Sequence, residues 1–181
     1  MNRDEIVQKL ETTEPVTWDK IQESKAITKS NSPTFNVNEQ YIVAIEELSE
    51  LQKELASFIL GNKDVIGIEE EIADVMLALN MVIPMTKRDR WTNPKYVDMV
   101  FGDKPTNTIE VVAYIIEHLA SLQQCITKGV RDSWFKYGIH MVAHDVYDCL
   151  VILVDELNLS KEEIEKIMSI KIDRQIARKS K

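Results

Sequence analysis

Glycine and proline are scarce in this chain, five of each among 181 residues. Residues that break or redirect a backbone are therefore few, and the balance tilts toward long helices. No stretch shows the strict alternation of apolar and polar residues that marks a half-buried strand. Positive charge is not in excess either: the formal net charge is -8 at pH 7. That argues against a nucleic-acid partner, where Lys and Arg must displace counterions from phosphates, and against an anionic membrane surface. No apolar run reaches the length of a membrane span, and the opening MNRDEIVQKL has no apolar signal region. The expectation is a soluble, cytosolic protein. There are only two cysteines, Cys125 and Cys149, each in an apolar helical run. They read as buried free thiols, and no disulfide framework is expected. Walker loops, GxGxxG and the nucleophile elbow are missing as well.

What is present is helical periodicity. Two short patterns, roughly 3–11 and 17–29, are separated by Glu14-Pro15, and Ser30-Asn31-Ser32-Pro33 breaks the chain. From about Asn38, Ile42, Ile45, Leu48, Leu51, Leu55, Phe58 and Ile59 form one apolar stripe that Gly61-Asn62 ends. A second helix is expected from about Ile66 to Ile83, burying Ile68, Ile72, Val75, Met76, Leu79 and Val82, with Pro84 as its stop. The polar segment 85–106 reads as a long connection. Further helices are expected over about 107–128 and 134–157, and a last one opens at Ser160 with Glu163 at capping-box spacing. It ends in the basic run Lys171, Arg174, Arg178, Lys179 and Lys181. The fold class is all-α, one helical-bundle domain over 1–181. Its parts are an N-terminal extension (1–35), a hairpin (38–84), a second hairpin (107–157) and a basic C-terminal helix (160–181).

The two hairpins are related. Ile45-Glu46-Glu47-Leu48-Ser49-Glu50-Leu51-Gln52 is echoed further along the chain by Ile116-Glu117-His118-Leu119-Ala120-Ser121-Leu122-Gln123. Glu70-Glu71-Ile72-Ala73-Asp74-Val75 is echoed at nearly the same offset by His144-Asp145-Val146-Tyr147-Asp148-Cys149. The bundle thus reads as two tandem hairpins. The second copy is degenerate, with His118 and Ser121 in place of Glu47 and Glu50.

Glu47 and Glu50 are three apart on one helix, and Glu71 and Asp74 three apart on the next, so each pair shares a face. In an antiparallel hairpin the pairs can meet. Four crowded carboxylates repel one another, and a hard divalent cation relieves that repulsion while bridging to phosphates. A solvated acidic face is the commoner meaning of such pairs. These acids, however, border the apolar stripes: Glu47 adjoins Leu48, and Asp74 lies between Ala73 and Val75. Other constellations are weaker. His140, His144 and Asp148 have a helical spacing suited to a transition metal, but Met141 stands where a zincin has Glu, and the repeat accounts for two of the three. The Glu-x-x-His of a di-iron bundle is missing. Trp18, Trp91, Trp134 and Tyr137 could stack on a base, though core or interface packing is the commoner role. The seven methionines read as core filling.

Glu-x-x-Glu, then twenty residues, then Glu-x-x-Asp on a helical hairpin resembles the MazG-like NTP pyrophosphohydrolases. "AIEELSELQKEL" and "EEIADVMLAL" look like that family's two metal-binding helices, and "KIDRQIAR" like its basic close. The resemblance covers about residues 41–83. The longer interval 85–158 is similar to the duplicated architecture of the dimeric dUTPases, whose second half has lost most metal ligands. The resemblance implies that Glu47, Glu50, Glu71 and Asp74 hold Mg2+ (Mn2+ as a substitute) on a nucleoside triphosphate. Hydrolysis between the α and β phosphates would then give a nucleoside monophosphate and pyrophosphate. Lys53, Lys171 and Arg174 are the candidate phosphate contacts, and Glu46 and Glu70 the adjacent acids. Assembly into a homodimer is also implied, with an internal bundle in which the second hairpin roofs the first hairpin's single site. The alternative is a non-catalytic helical nucleotide or metal sensor. The preferred base is left open.

Overall fold

Four of the helices open on a residue that suits the unpaired amides of a first turn. Thr17 Oγ1 accepts from Lys20 N at 3.2 Å, Asp64 Oδ1 from Gly67 N at 3.2 Å, Asn107 Oδ1 from Glu110 N at 3.0 Å, and Ser160 Oγ from Glu163 N at 3.1 Å. A computed structural model describes residues 3–30, 37–62, 64–82, 107–132 and 136–179 of the chain. Its helices are α1 (Arg3–Leu10), α2 (Trp18–Ser30), α3 (Val37–Ile59), α4 (Val65–Val82), α5 (Thr108–Arg131), α6 (Lys136–Glu156) and α7 (Lys161–Lys179). No strand occurs among the described residues, so the all-α expectation holds. The expected connection 85–106, Pro84 and Ser32-Pro33 lie outside them. None of the described helices is long and apolar enough to cross a membrane.

Two helix ends are closed by the same device. Gly61, at φ 100°, donates to Phe58 O, and Asn62 N reaches back to Ser57 O. Glycine suits Gly61 because a Cβ disfavours that left-handed backbone. After α6, Asn158 takes φ 52°, donating to Asp155 O while Leu159 N bonds Val154 O. Asparagine is the other residue that tolerates this conformation.

Helix α3 packs along α4, α5 packs along α6, and the hairpins meet through α3 against α5. The meeting is a pseudo-twofold. Tyr41, Ala44, Leu48, Leu51 and Leu55 are buried on α3, and their counterparts in the repeat, Val112, Ile115, Leu119, Leu122 and Ile126, are all buried on α5. Gln52 Nε2 donates to Ile116 O at 3.1 Å, and Gln123 Nε2 donates to Ile45 O at 3.2 Å. Each bond is the other with its two halves exchanged. Burial of a large apolar side chain contributes roughly 1.5–3 kcal/mol, against roughly 0.5–1.5 kcal/mol net for a hydrogen bond. The apolar seam therefore holds the halves together, and the glutamines fix their register.

Several expectations need correction. Ile42 is 60% exposed; the inward positions on its turns belong to Tyr41 and Ala44, which share the seam's angular position with Leu48. Cys149 is buried as expected, but Cys125 is half-buried. Met81 lines a cavity and Met141 is exposed, so not every methionine fills the core. The second arm of the α7 capping box is made by another helix: Ser160 N donates to Glu69 Oε1 at 2.9 Å, not to Glu163.

Helices α2 and α7 pack on the first hairpin, α1 packs on α7, and one contiguous core takes residues from all seven helices, from Ile6 to Ile172. The pseudo-twofold yields a direct expectation. Gln52→Met and Gln123→Met each remove one bond across the seam, to Ile116 O and to Ile45 O. Urea denaturation should show both destabilised by similar amounts, about 1–2 kcal/mol. A large loss for one and none for the other would contradict the symmetric pairing.

Candidate metal centre

Near the middle of the first hairpin, α3 brings Glu47 opposite Glu71 and Asp74 of α4. One carboxylate oxygen from each lies within 4.8 Å of the others. The cause is local: Glu47 follows the α3 seam by one position before Leu48, and Glu71 and Asp74 flank the buried Ile72 and Ala73. All three acids are half-buried at the edge of the core. Glu50, the fourth expected acid, is exposed one turn further along α3, outside this trio. It is nonetheless close enough for its charge to act on all three.

Burial and mutual repulsion determine the protonation of the cluster. Burial, then the charges of Asp74 and Glu50, push Glu47 up to about 7. The same causes in the same order push Glu71 up to about 8. Asp74 is raised too, chiefly by burial, although Lys171 opposes the shift. Lys171, reaching across from α7, donates to Asp74 Oδ2 and to Glu70 Oε1, the latter at 3.0 Å. Burial alone would lower the Lys171 ammonium; the two carboxylates outweigh it and hold it above its ordinary value. Glu70 is thereby a partner of Lys171, and Glu46 is an exposed neighbour whose charge adds to the pressure on Glu47.

One atom is out of balance. Glu71 Oε2 is buried with no hydrogen-bond partner. A buried carboxylate oxygen without a donor is costly. Three converging hard oxygens with one left unsatisfied fit a small divalent cation such as Mg2+ or Mn2+. This trio is the single such group of three among the described residues.

The second hairpin keeps no equivalent among the described residues. His118, at the position of Glu47, turns back on its own helix: Nδ1 lies 3.2 Å from Tyr114 O and the two rings sit 4.3 Å apart. Asp145 is exposed and Asp148 half-buried. Burial, with the charges of Asp145 and Asp148, pushes the Cys149 thiol up to about 12, which makes it inert as a thiolate. His140, His144 and Asp148 do not converge on a ligating position.

Beside the trio lies a cavity of about 540 Å3 whose walls come from α2, α3, α4 and α7. Its cations are Lys25, Lys171, Arg174 and Arg178, and its acids Glu47 and Asp74. No residue of α5 or α6 lines it, so the expectation that the second hairpin roofs the site is overturned. The cover is α7 and α2; α6 meets α4 through Tyr147, which is bonded to Asn80 Nδ2 and Met76 O, and contributes nothing to the lining. Lys53 is exposed and outside the lining. Trp18 packs partly buried against the core; Trp91, Trp134 and the Tyr137 side chain lie outside what is described. Arg178 was within reach of sequence reasoning, since 171, 174 and 178 share one helical face. Lys25 carried no signal.

No protein-family model, curated protein or solved structure matches this chain.

The raised carboxylates set a pH dependence. Unfolded glutamates titrate near 4.5, whereas folded Glu47 and Glu71 titrate near 7 and 8. Over that interval the folded chain holds protons that the unfolded chain has released, so stability falls as pH rises. In chelator, the thermal midpoint should therefore decline between about pH 5 and pH 8, and millimolar Mg2+ should restore it at the upper end. Glu71→Gln should flatten the decline and abolish the Mg2+ response. An unchanged Mg2+ response in that variant would remove Glu71 from the site.

Proposed function

We propose that this chain is a Mg2+-dependent nucleoside triphosphate pyrophosphohydrolase, acting on a (d)NTP between the α and β phosphates. One observation carries the reading: of three convergent carboxylates two, Glu47 and Asp74, line a cavity whose remaining charged side chains are all cations. Carboxylates alone would take a metal, and cations alone an anion. Side by side, they suit a phosphate chain that arrives with its divalent ion. The resemblance of the Glu-x-x-Glu and Glu-x-x-Asp helices to the MazG-like family supports the same chemistry.

Glu47, Glu71 and Asp74 would hold the ion, with Glu50 at the exposed edge of the group. Bound Mg2+ supplies charge neutralisation and polarisation of the phosphoryl group. The chain does the rest. Lys171 pairs with Asp74, opposing the effect of burial on it, and with Arg174 meets the phosphate oxygens. Burial beside the core limits water near the acids, which strengthens these interactions. A water attacks the α-phosphorus and the bond to the bridging oxygen breaks. Pyrophosphate leaves, and a carboxylate of the four not committed to metal takes the water proton. Lys53 has no assigned part.

The test is pyrophosphate release across a panel of NTPs and dNTPs. Turnover of at least one nucleotide with Mg2+, abolished by chelator, is the expected result. Glu47→Gln and Asp74→Asn should each lower kcat at least about 100-fold, roughly 2.7 kcal/mol of transition-state stabilisation. No turnover on any nucleotide with Mg2+ or Mn2+ would overturn the enzyme reading. Stabilisation by metal and nucleotide without turnover would favour a sensor instead.

A further inference from the structure

Two walls of the cavity, α2 and α7, belong to neither hairpin. Ile21, Ser24 and Lys25 of α2 face it. Helix α2 is held there by α7: Lys20 Nζ donates to Ser169 Oγ at 2.7 Å and pairs with Asp173 at 2.7 Å. Ser24 Oγ donates to Gln175 Oε1 at 3.0 Å, and Gln175 Nε2 donates to Thr28 Oγ1 at 3.0 Å. Both hydroxyl-bearing residues are buried. A single glutamine amide thus uses its donor and its acceptor to set α2 against α7, so the α2 wall has a fixed position.

On that wall Lys25 is half-buried, and its ammonium donates to the carbonyl oxygen of Asn80 on α4. Burial, and then the charge of Lys29 one turn on, lower its pKa. A cation kept in such surroundings is stabilised by an anion brought to it. The acids of the cavity are Glu47 and Asp74, and Asp74 is paired with Lys171. Four cations against two carboxylates line one concave space in a chain whose net charge is -8. Concave, low-dielectric walls concentrate such a field on a ligand of opposite sign. Asn80 lies six residues past Asp74 on α4, about 9 Å at 1.5 Å per residue. A chain of phosphates held at the acids spans that reach.

We propose that Lys25 is a substrate-binding residue: its ammonium binds the phosphate chain whose metal-bound part sits at Glu47, Glu71 and Asp74, so that α2 completes the site. The identity of that substrate rests on the function proposed above. The polyphosphate chemistry does not, and the test separates them. Inorganic tripolyphosphate with Mg2+ is the probe, titrated calorimetrically into the full chain, alongside KM and kcat on the nucleotide panel.

Lys25→Gln keeps a donor for the Asn80 carbonyl and removes the charge. It should weaken tripolyphosphate binding about tenfold to a hundredfold, raise KM more than it lowers kcat, and leave Mn2+ affinity unchanged. Lys25→Arg should retain binding within a few-fold. If Lys25→Gln does not fold, Lys25→Met, which keeps the packed stem, takes its place. Wild-type affinity and KM in the charge-removed variant would overturn the proposal, as would a wild-type chain that does not bind tripolyphosphate. Lys25→Arg failing as badly as Lys25→Gln would also overturn it, because the role would then be positional. Binding lost with Lys25 in a chain that turns over no nucleotide would leave Lys25 assigned and sink the pyrophosphohydrolase reading alone.

Discussion

Three carboxylates forced together at the edge of an apolar core repel one another, and the arrangement around them answers that repulsion. Glu47, Glu71 and Asp74 are near because α3 and α4 pack through Leu48, Ile72 and Ala73, and the helices cannot separate without opening the core. One response is protonation, seen in the raised Glu47 and Glu71. A second is Lys171, delivered from α7 to Asp74 and Glu70. Placing that lysine requires α7 to lie over α4, and α7 is in turn gripped by α2 through Lys20, Ser24 and Thr28. The helices outside the hairpins are thus tied to the charge problem inside one of them.

The other hairpin shows what the same backbone does without that problem. It repeats the seam position for position, down to the exchanged glutamine bonds. It keeps Asp145 and Asp148 but has His118, in a ring pair with Tyr114, and Ser121 in place of the two glutamates, and no basic helix packs over it with comparable extent among the described residues. The division of labour follows: one half works by charge, and both halves contribute packing.

Apolar periodicity, capping residues and Gly61 made most helix bounds readable, because each acts within a few residues of sequence. The acids were readable for the same reason, since three-residue spacing fixes a common face. Where local pattern was a poor guide, the cause was tertiary. Ile42 fits the stripe by type, yet Ala44 and Tyr41 take the inward positions, since a close helix–helix seam accepts a small residue next to a large one. Glu163 had the spacing to complete the α7 cap, but Glu69 was already buried beside Ser160 N. The basic wall was the least legible part. Lys25 and Lys171 come from opposite ends of the chain, and no periodicity links them. Their proximity depends on how α2 and α7 dock, which only burial of both helices against the first hairpin decides.

The bond from Ser160 N to Glu69 has a mechanical meaning. It pins the start of α7 to α4, and eleven residues on, about 16 Å along the helix, Lys171 pins α7 to α4 again at Glu70 and Asp74. Two such anchors make α7 a strut, and a strut bolted twice to the same beam cannot swing as a door. Lys171, Arg174 and Arg178 therefore stand on a rigid wall, and α2, tied to α7 in turn, belongs to the same frame.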